Sequence, residues 1–339
     1  MALPPERDRK EEAKRTIAEC LGPNGFYASS GTYFGQYFLR DISLSSEALL
    51  GLGYNDLLSA SAVTFAKHQR ERGDIPPRII ELSKLPAILA RLVLNPPFID
   101  LGVFPPGALR TSDSTLHFVL SRTWSRTPGF DASVAKAVAY LKGAARDAGG
   151  KLVGPDWRDS MHNLAGKATF CNQVLLLRAA ELMGDSAWAD ELRLTIERGF
   201  WSDGLGYYMD YEGSRAFDVF GHSLAILQNL IPEQRMGSVL QGLGSSLSVH
   251  GYRNLWPCYE KRACGQDPGT YQNGSVWPLI QGYAILALRS LGHAEQAADE
   301  LERMKSLTGF NEWYDPATGA PRGSRGQLWS AAMYLEAVQ

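Results

Sequence analysis

The sequence predicts an all-α protein in which about twelve helices form two concentric rings. Helical periodicity recurs in pairs of neighbouring segments along most of the 339 residues. The members of a pair differ in character, since the stretch 276–288 is apolar on nearly every side whereas 294–304 carries five charged side chains. A buried helix followed by an exposed one, repeated along the chain, indicates an inner and an outer ring.

The helical segments follow one another with only short interruptions. We expect helices near residues 6–21, 42–53, 56–71, 79–93, 113–125, 131–147, 166–183, 186–198, 217–230, 233–245, 275–291, 293–306 and 325–337. Two short strands, at residues 199–201 and 207–211, are expected to interrupt them on either side of an Asp203-Gly204 turn. The fold class is therefore all-α, with a single β-hairpin.

The loops between the helix pairs hold most of the tryptophans and many of the acidic residues. They are rich in Gly, Pro and Asn and cover residues 31–41, 73–77, 154–163, 257–278 and 310–326. Loops that a rigid scaffold positions are where binding and catalytic residues concentrate. No linker or low-complexity segment divides the chain, so we expect one domain over residues 1–339.

Charge and composition exclude several classes of partner. With 34 Lys+Arg against 36 Asp+Glu, the net charge of −2 argues against binding to nucleic acid or to an anionic membrane. No apolar region follows Met1 and no apolar run approaches the ~20 residues of a membrane span, so a cytoplasmic protein is expected. We expect a neutral small-molecule ligand; the oligomeric state stays open.

The cysteines and histidines do not form a metal-binding pattern. The four cysteines lack CxxC spacing and lie apart from histidine pairs, so neither a metal nor an organic cofactor is expected. A disulfide between Cys258 and Cys264 is an open alternative with little support in a cytoplasmic protein.

Two loops combine acidic and aromatic side chains in the way that sugar-binding sites do. One, residues 310–319, places Glu312 beside Trp313, and the other, residues 154–160, places Asp159 two positions after Trp157. Two carboxyl groups on separate loops are the minimum equipment for cleaving a glycosidic bond. The sequence thus indicates a glycosidase.

Taken together, the loop motifs resemble those of the six-hairpin, (α/α)6-barrel glycoside hydrolases. This group includes debranching glucosidases, processing α-glucosidase I, neutral invertases and mannosylglycerate hydrolases. The motifs, in chain order, are Tyr37-Phe38-Leu39-Arg40-Asp41, Gly73-Asp74-Ile75-Pro76, Asp113-Ser114-Thr115-Leu116, Trp157-Arg158-Asp159, Tyr271-Gln272-Asn273-Gly274-Ser275-Val276-Trp277-Pro278, Glu312-Trp313-Tyr314 and Gly326-Gln327-Leu328-Trp329-Ser330. The resemblance implies an (α/α)6 barrel, a six-hairpin toroid with long loops at one end.

The resemblance also implies the catalytic roles. Asp159, after the tryptophan of a W-x-D turn, would be the general acid, and Glu312, in an E-W-Y setting, the general base of an inverting, exo-acting hydrolase. Asp159 must then stay protonated near neutral pH, which requires a partly dry setting or a nearby negative charge. Glucose is the sugar that the resemblance favours, in small oligosaccharides or glycosides.

Further residues are implied to bind the substrate. Arg40 and Asp41 would hold hydroxyl groups of the buried sugar, and Gln272 stands where the related motif has histidine. The other expected substrate contacts are Tyr37, Asp113, Trp157, Arg158, Asn273, Trp277, Trp313 and Trp329.

Structural alternatives remain open for several of these residues. Asp159 could pair with Arg158 or cap a helix, Asp41 and Asp113 could be helix caps, and Trp277 could fill the core. Glu312 could be a surface acid beside a structural tryptophan, and Asp218 and His222 are as consistent with capping or core roles as with binding. For the whole protein, a sugar epimerase or a carbohydrate-binding protein without catalysis is the alternative.

Overall fold

The computed structural model describes residues 6–84, 113–125, 127 and 129–339. Within these ranges the chain forms fourteen α-helices and twelve two-residue strands. The helices are α1 Glu6–Glu19, α2 Leu39–Leu44, α3 Ser46–Gly51, α4 Asn55–Lys67, α5 Asp113–Leu120, α6 Phe130–Asp147, α7 Phe170–Leu182, α8 Ser186–Phe200, α9 Val219–Leu227, α10 Glu233–Ser245, α11 Lys261–Cys264, α12 Pro278–Ser290, α13 Ala294–Ser306 and α14 Leu328–Ala337.

Six helical positions form a closed inner ring. Helix α2 packs on α5, α5 on α7, α7 on α9, α9 on α12 and α12 on α14, and α14 returns to pack on α2 and α3. These helices are apolar on most sides; in α9 every residue from Val219 to Ile226 is buried. A helix that is hydrophobic all round needs burial on all sides, and the inner ring supplies it.

Amphipathic helices cover the inner ring from outside. Five of the six inner positions pack against an outer neighbour: α4 packs on α2 and α3, α6 on α5, α8 on α7, α13 on α12 and α1 on α14. Helix α13 shows the difference in character, because only Ala297, Glu300 and Met304 are buried along it. Together with α10, which follows α9, these helices complete an (α/α)6 barrel and confirm the predicted fold class.

The long loops meet at one end of the barrel. The loops of this end that the structure describes in full, those before α2, α7, α9, α12 and α14, each leave an outer helix and enter the N-terminus of the next inner helix. Asp41 lies in the first turn of α2, Asp113 begins α5, and Asp218 and Trp277 are the N-caps of α9 and α12. Carboxyl groups thus lie at the N-terminal ends of α2, α5 and α9, where the partial positive charge of the helix favours them.

Short antiparallel strand pairs stiffen these loops. The register of the predicted hairpin is Trp201 opposite Tyr208 and Ser202 opposite Tyr207, which confirms that pair. The other pairs were not predicted, since two-residue strands leave no alternation to read. The pairs are β1 Leu21–Gly22 with β2 Gly25–Phe26, β3 Gln36–Tyr37 with β4 Ile79–Ile80, β5 Trp201–Ser202 with β6 Tyr207–Tyr208, β7 Phe217–Asp218 with β10 Leu255–Trp256, β8 Leu247–Ser248 with β9 Gly251–Tyr252, and β11 Trp313–Tyr314 with β12 Pro321–Arg322.

Several helix boundaries differ from the prediction. The helix expected at 42–53 is two helices that meet at Ser45, whose hydroxyl donates to the Asp41 carbonyl at 2.7 Å. Of the helix expected at 79–93, residues 79–80 are strand β4 and 82–84 a turn of 3₁₀-helix, and 85–93 lie outside the described residues. The helices expected from residues 166, 217, 275 and 325 begin later, at Phe170, Val219, Pro278 and Leu328. Before α9 and α12 the reason is that Phe217, Val276 and Trp277 are buried in loops.

Two further expectations concern the whole chain. All four cysteines are free thiols, so Cys258 and Cys264 do not form the disulfide left open by the sequence. No helix of the described residues is long and apolar enough to cross a membrane.

Candidate active site

Arg40 joins three of the carboxyl groups at the loop end of the barrel. Its Nη1 donates to Asp113 Oδ2 at 2.6 Å and its Nη2 to Asp159 Oδ2 at 3.1 Å, while its Nε lies 4.0 Å from Asp41 Oδ2. The three carboxyl groups come from α2, α5 and the loop before α7. One buried guanidinium thus collects acids that are up to 118 positions apart (159 − 41).

Glu312 lies among phenols and a backbone amide. Its Oε2 accepts a hydrogen bond of 2.9 Å from the Ser324 backbone N–H, and its Oε1 accepts bonds of 3.3 Å from the hydroxyls of Tyr33 and Tyr271. The side chain is buried, so it is not the surface acid that the alternative interpretation required. Burial raises the pKa of Glu312 to about 7, although these hydrogen bonds favour the charged form and lower the pKa.

The carboxyl groups influence one another. Burial raises the pKa of Asp41 to about 8; Arg40 opposes the rise, and the charges of Glu312 and Asp159 add to it. Burial also raises the pKa of Asp159, again opposed by Arg40 and increased by Asp113. These mutual effects bring Asp41, Asp159 and Glu312 into one electrostatic cluster, which we call the carboxyl cluster.

Asp159 pairs with Arg40 and not with its neighbour Arg158. Asp159 Oδ1 receives a second, longer hydrogen bond of 3.4 Å from Gln272 Nε2, and 18% of the side chain remains exposed. The N-cap of α7 is Thr169, which excludes a capping role for Asp159. Burial that favours a proton, together with some exposure, is what a general acid needs.

Asp41 is not a helix cap. Helix α2 begins at Leu39 and its N-cap is Phe38, so Asp41 lies inside the first turn. Its Oδ1 accepts a 3.2 Å hydrogen bond from Gln327 Nε2, at the start of α14. The side chain therefore reaches across to α14 from inside the helix and does not act as the N-cap.

The predicted tryptophans form a continuous aromatic wall. Trp277 contacts Trp157 edge to face with ring centroids 5.0 Å apart, and Trp329 in the same way at 5.9 Å. Tyr271 lies between Trp277, at 5.4 Å, and Trp313, at 6.2 Å. The sequence placed these five rings in four separate motifs, and the barrel brings them together.

Several buried polar atoms at this end have no hydrogen-bond partner among the described residues. They are Asp113 Oδ1, Gln327 Oε1 and the indole N–H groups of Trp157 and Trp329. Buried polar groups are nearly always satisfied by protein, water or ligand. A mixture of unsatisfied donors and acceptors beside aromatic faces suits the hydroxyl groups and apolar faces of a sugar.

Arg158 and Asn273, which the sequence placed among the sugar contacts, differ from this pattern because their side chains bond to protein groups. Arg158 is fully buried and donates hydrogen bonds to Asp156 and Asp210. The bond from Arg158 Nη2 to Asp156 Oδ2 is 2.6 Å long. Asn273 Nδ2 donates to the carbonyls of Tyr259 and Gln266. Both side chains hold loops together.

Tyr37 also has a protein partner. Its hydroxyl donates to Glu81 Oε2 at 2.8 Å, beside Tyr27, which donates to the same carboxylate oxygen. None of the bonds formed by this hydroxyl reaches the carboxyl cluster.

Asp218 and His222 have structural roles. Asp218 Oδ1 caps α9 by accepting from the Phe220 backbone N–H at 3.1 Å. The His222 ring stacks on Phe217 at 3.8 Å, and burial lowers its pKa to about 3.

One group of residues in the described ranges has the spacing of metal ligands. Ligand atoms of Asp156, Cys171 and Asp218 all lie within 4.8 Å of one another. Both Asp156 oxygens already accept from Arg158, and Arg158 Nη2 lies 3.7 Å from Asp218 Oδ2. Burial raises the pKa of the Cys171 thiol well above its usual value. The arginine thus occupies the position of a cation, and the group does not fit a metal ion.

Sequence reasoning missed Tyr33, Gln327 and Gly323. Gly323 has φ +67, and a Cβ there would lie 2.5 Å from Glu312 Oε2 and 2.7 Å from Trp313 Cδ1. Only glycine allows the backbone to approach the carboxylate so closely. The glycine-rich run after Glu312 was visible in the sequence, but not which of its glycines touches the acid.

Comparison with known proteins agrees with this architecture. Residues 167–330 match the family model of the mannosylglycerate hydrolase MGH1-like glycoside hydrolase domain. A mannosylglycerate hydrolase of Thermus thermophilus is 38% identical over 87 residues, 24% of this chain and 21% of that protein. The mannosylglycerate hydrolase of Rubrobacter radiotolerans is 24% identical over 177 residues, 48% of this chain and 40% of that protein. The matches thus span less than half the length of either relative.

The fold extends the similarity over nearly the whole chain. The crystal structure of a GH63 mannosylglycerate hydrolase from Thermus thermophilus in complex with glucose superimposes with a TM-score of 0.69, at 14% identity, covering 97% of this chain and 100% of that one. The sequence matches and the shared barrel together make the chain similar to the six-hairpin glycosidases, with the family model covering just under half of its length.

Proposed function

We propose that the protein is an inverting, exo-acting glycoside hydrolase that acts on small neutral or weakly charged glycosides. Asp159 is the general acid and Glu312 the general base. The observation that carries this proposal is the presence of two carboxyl groups at one end of the barrel in different surroundings, Asp159 bonded by Arg40 and Glu312 by a backbone N–H and two phenols. Pairs of carboxyl groups with separate environments mark acid and base roles in glycosidases.

The surroundings suit the two roles. Asp159 gives its proton to the leaving oxygen. The Arg40 guanidinium, 3.1 Å away, then stabilises the negative charge of the Asp159 carboxylate. Glu312 takes a proton from the attacking water, while the Ser324 N–H and the Tyr33 and Tyr271 hydroxyls hold its carboxyl group in place. Water attacks the sugar carbon opposite to the departing group, so the anomeric configuration inverts.

The sugar lies between the aromatic wall and the carboxyl cluster in this proposal. Asp41 and Asp113 accept from sugar hydroxyls, and Trp157 and Trp329 offer indole N–H groups or ring faces. Arg40 contributes by holding the aspartates. Glucose is our expected glycone, and mannosylglycerate enters the test because the relatives bear that name.

Two buried histidines, His117 and His222, favour hydrolysis over epimerisation as the reaction. An epimerase on this scaffold would use histidines as acid and base. Burial lowers the pKa of His117 and of His222 to about 3, so both are neutral and cannot serve as acids near neutral pH.

Product analysis by NMR tests the proposal. Purified protein is incubated with a panel of α- and β-glucosides, mannosides, natural disaccharides and mannosylglycerate, and the first anomer formed is identified before mutarotation. We expect hydrolysis of at least one glycoside with inversion. Sugar binding by calorimetry without turnover of any compound would instead identify a binding protein, and retention would exclude the assigned roles.

A further inference from the structure

We infer that Gln272 is a positioning residue that sets the orientation and proton affinity of Asp159, and that it does not bind the sugar. Its amide lies between the loop of residues 154–160 and the general acid that this loop carries. The reading of Asp159 as an acid rests on the proposed function, whereas the placement of the Gln272 amide rests on geometry alone.

Backbone atoms fix the direction of the Gln272 amide at both ends. The Ser160 backbone N–H, which can only donate, lies 3.1 Å from Gln272 Oε1. The Trp157 carbonyl, which can only accept, lies 3.0 Å from Nε2. The amide therefore cannot be turned over without losing both bonds.

Side chains close a ring around the same amide. The Ser160 hydroxyl donates to Gln272 Oε1 at 2.6 Å and accepts from Gln266 Nε2 at 2.8 Å. Gln266 Oε1 in turn accepts from the Gln272 backbone N–H at 3.0 Å. These bonds leave Nε2 directed at Asp159 Oδ1, 3.4 Å away.

With the contact from Gln272, each carboxyl oxygen of Asp159 has a different hydrogen-bond donor. Oδ2 accepts from Arg40 at 3.1 Å and Oδ1 from the neutral amide. A donor to a carboxylate favours its charged form, so Gln272 and Arg40 both oppose the effect of burial on the Asp159 pKa. The weaker amide bond leaves Oδ1 the easier oxygen to protonate.

Other titratable groups act on Asp159 from every side. Arg40 and Asp41 face it from α2, Asp113 from α5, and Tyr271 and Glu312 from the loops before α12 and α14. The Gln272 amide carries no charge and does not titrate. Substituting it therefore changes hydrogen bonding without removing a charge.

The first test measures the Asp159 pKa directly, with no need for a substrate. Protein labelled with ¹³C at the aspartate carboxyl carbons is titrated by NMR, and Asp159→Asn identifies the resonance. In Gln272→Met we expect the pKa of Asp159 to rise by about one unit. In Gln272→Glu, which keeps both contacts to Ser160 but places an oxygen near Asp159, we expect a larger rise. An unchanged Asp159 pKa in both variants would overturn the inference.

The second test separates positioning from sugar contact. In Gln272→Met we expect kcat for a natural glycoside to fall roughly tenfold, with KM unchanged and the alkaline limb of the pH profile moved upward. Hydrolysis of a glycosyl fluoride, whose leaving group needs no proton, should be unaffected. A rise in KM, or equal loss on both substrates, would contradict positioning.

A matched control and the wild type keep the two proposals apart. Gln241→Met, on the exposed side of α10, makes the same chemical change away from the loops and should alter neither the pKa nor the rates. If the wild type hydrolyses no glycoside or fluoride, the proposed function fails, and the NMR titration still decides the role of Gln272.

Discussion

Arg40 Nη2 donates a hydrogen bond of 3.1 Å to Asp159 Oδ2, while Nη1 of the same guanidinium bonds Asp113. The arginine is buried, and its own pKa stays well above its usual value because Asp113, Asp159 and Asp41 surround it. It remains charged, so it holds the proposed acid in place and stabilises the carboxylate that forms when the proton leaves. The following predictions depend on this arrangement.

Asp159→Asn removes the proton donor and keeps the size of the side chain. We expect hydrolysis of natural glycosides to fall by about 10²–10⁴-fold, while glycosyl fluorides lose far less. Steady-state kinetics on both substrates, with circular dichroism to check folding, provide the measurement. Normal turnover of a natural glycoside by this variant would show that the acid is another residue.

Glu312→Gln removes the proposed base. The amide cannot take a proton from water, so we expect activity on both natural glycosides and fluorides to be lost, unlike the pattern for Asp159→Asn. The amide oxygen can still accept from the Ser324 N–H, and the amide NH2 can donate to the hydroxyl oxygens of Tyr33 and Tyr271, so the melting temperature should change little. Activity on fluorides that survives in this variant would contradict the role of base.

The pH profile follows from the two carboxyl groups. Glu312 must be ionised, and its pKa is raised to about 7, so kcat/KM should increase as the pH rises through about 7. Asp159 must be protonated, so kcat/KM should fall at higher pH as it loses its proton. A profile that is flat from pH 5 to 8 would not agree with a buried base of raised pKa.

Gly323→Ala introduces a methyl group against the proposed base. The new Cβ would lie 2.5 Å from Glu312 Oε2, so we expect the carboxyl group to move and kcat to fall by about 10²-fold. Gly53→Ala is the matched control, because Gly53 also has a positive φ but has no atom within 4 Å of the added Cβ. Both variants should lose about 1 kcal/mol of stability from the backbone conformation, but only Gly323→Ala should lose activity.

Arg158→Met leaves buried aspartates without their cation. Asp156, Asp210 and Asp218 lie around Arg158, and all four side chains are fully buried. Removing one partner of such a group costs about 3–5 kcal/mol, so we expect a large drop in the urea midpoint. Arg262→Met, at a side chain that is 86% exposed, should change the midpoint little. Equal effects would show that the buried group contributes no specific stability.

The sequence alone determined the ring architecture, because its causes are local. An apolar helix such as the one predicted over 276–288 has only one stable environment, and the charged helix after it has another, so alternation predicts two layers. The loop motifs predicted the barrel class and named Asp159, Glu312, Arg40, Asp41 and Asp113 as site residues. The structure brings those five together, and the Asp159 and Glu312 variants above test the two catalytic roles.

The tertiary structure decided which polar residues brace the loops and which join the carboxyl cluster. Arg158 and Arg40 each stand beside an aspartate in sequence, yet Arg158 is enclosed by Asp156 and Asp210, whereas Arg40 reaches Asp113 and Asp159. Gln272 matters because it contacts Asp159, which is 113 positions away (272 − 159). Gly323 matters because it lies against Glu312, which is 11 positions away (323 − 312). Hydrogen bonding and close approach depend on the partner that the fold supplies, and residue spacing along the chain does not specify that partner.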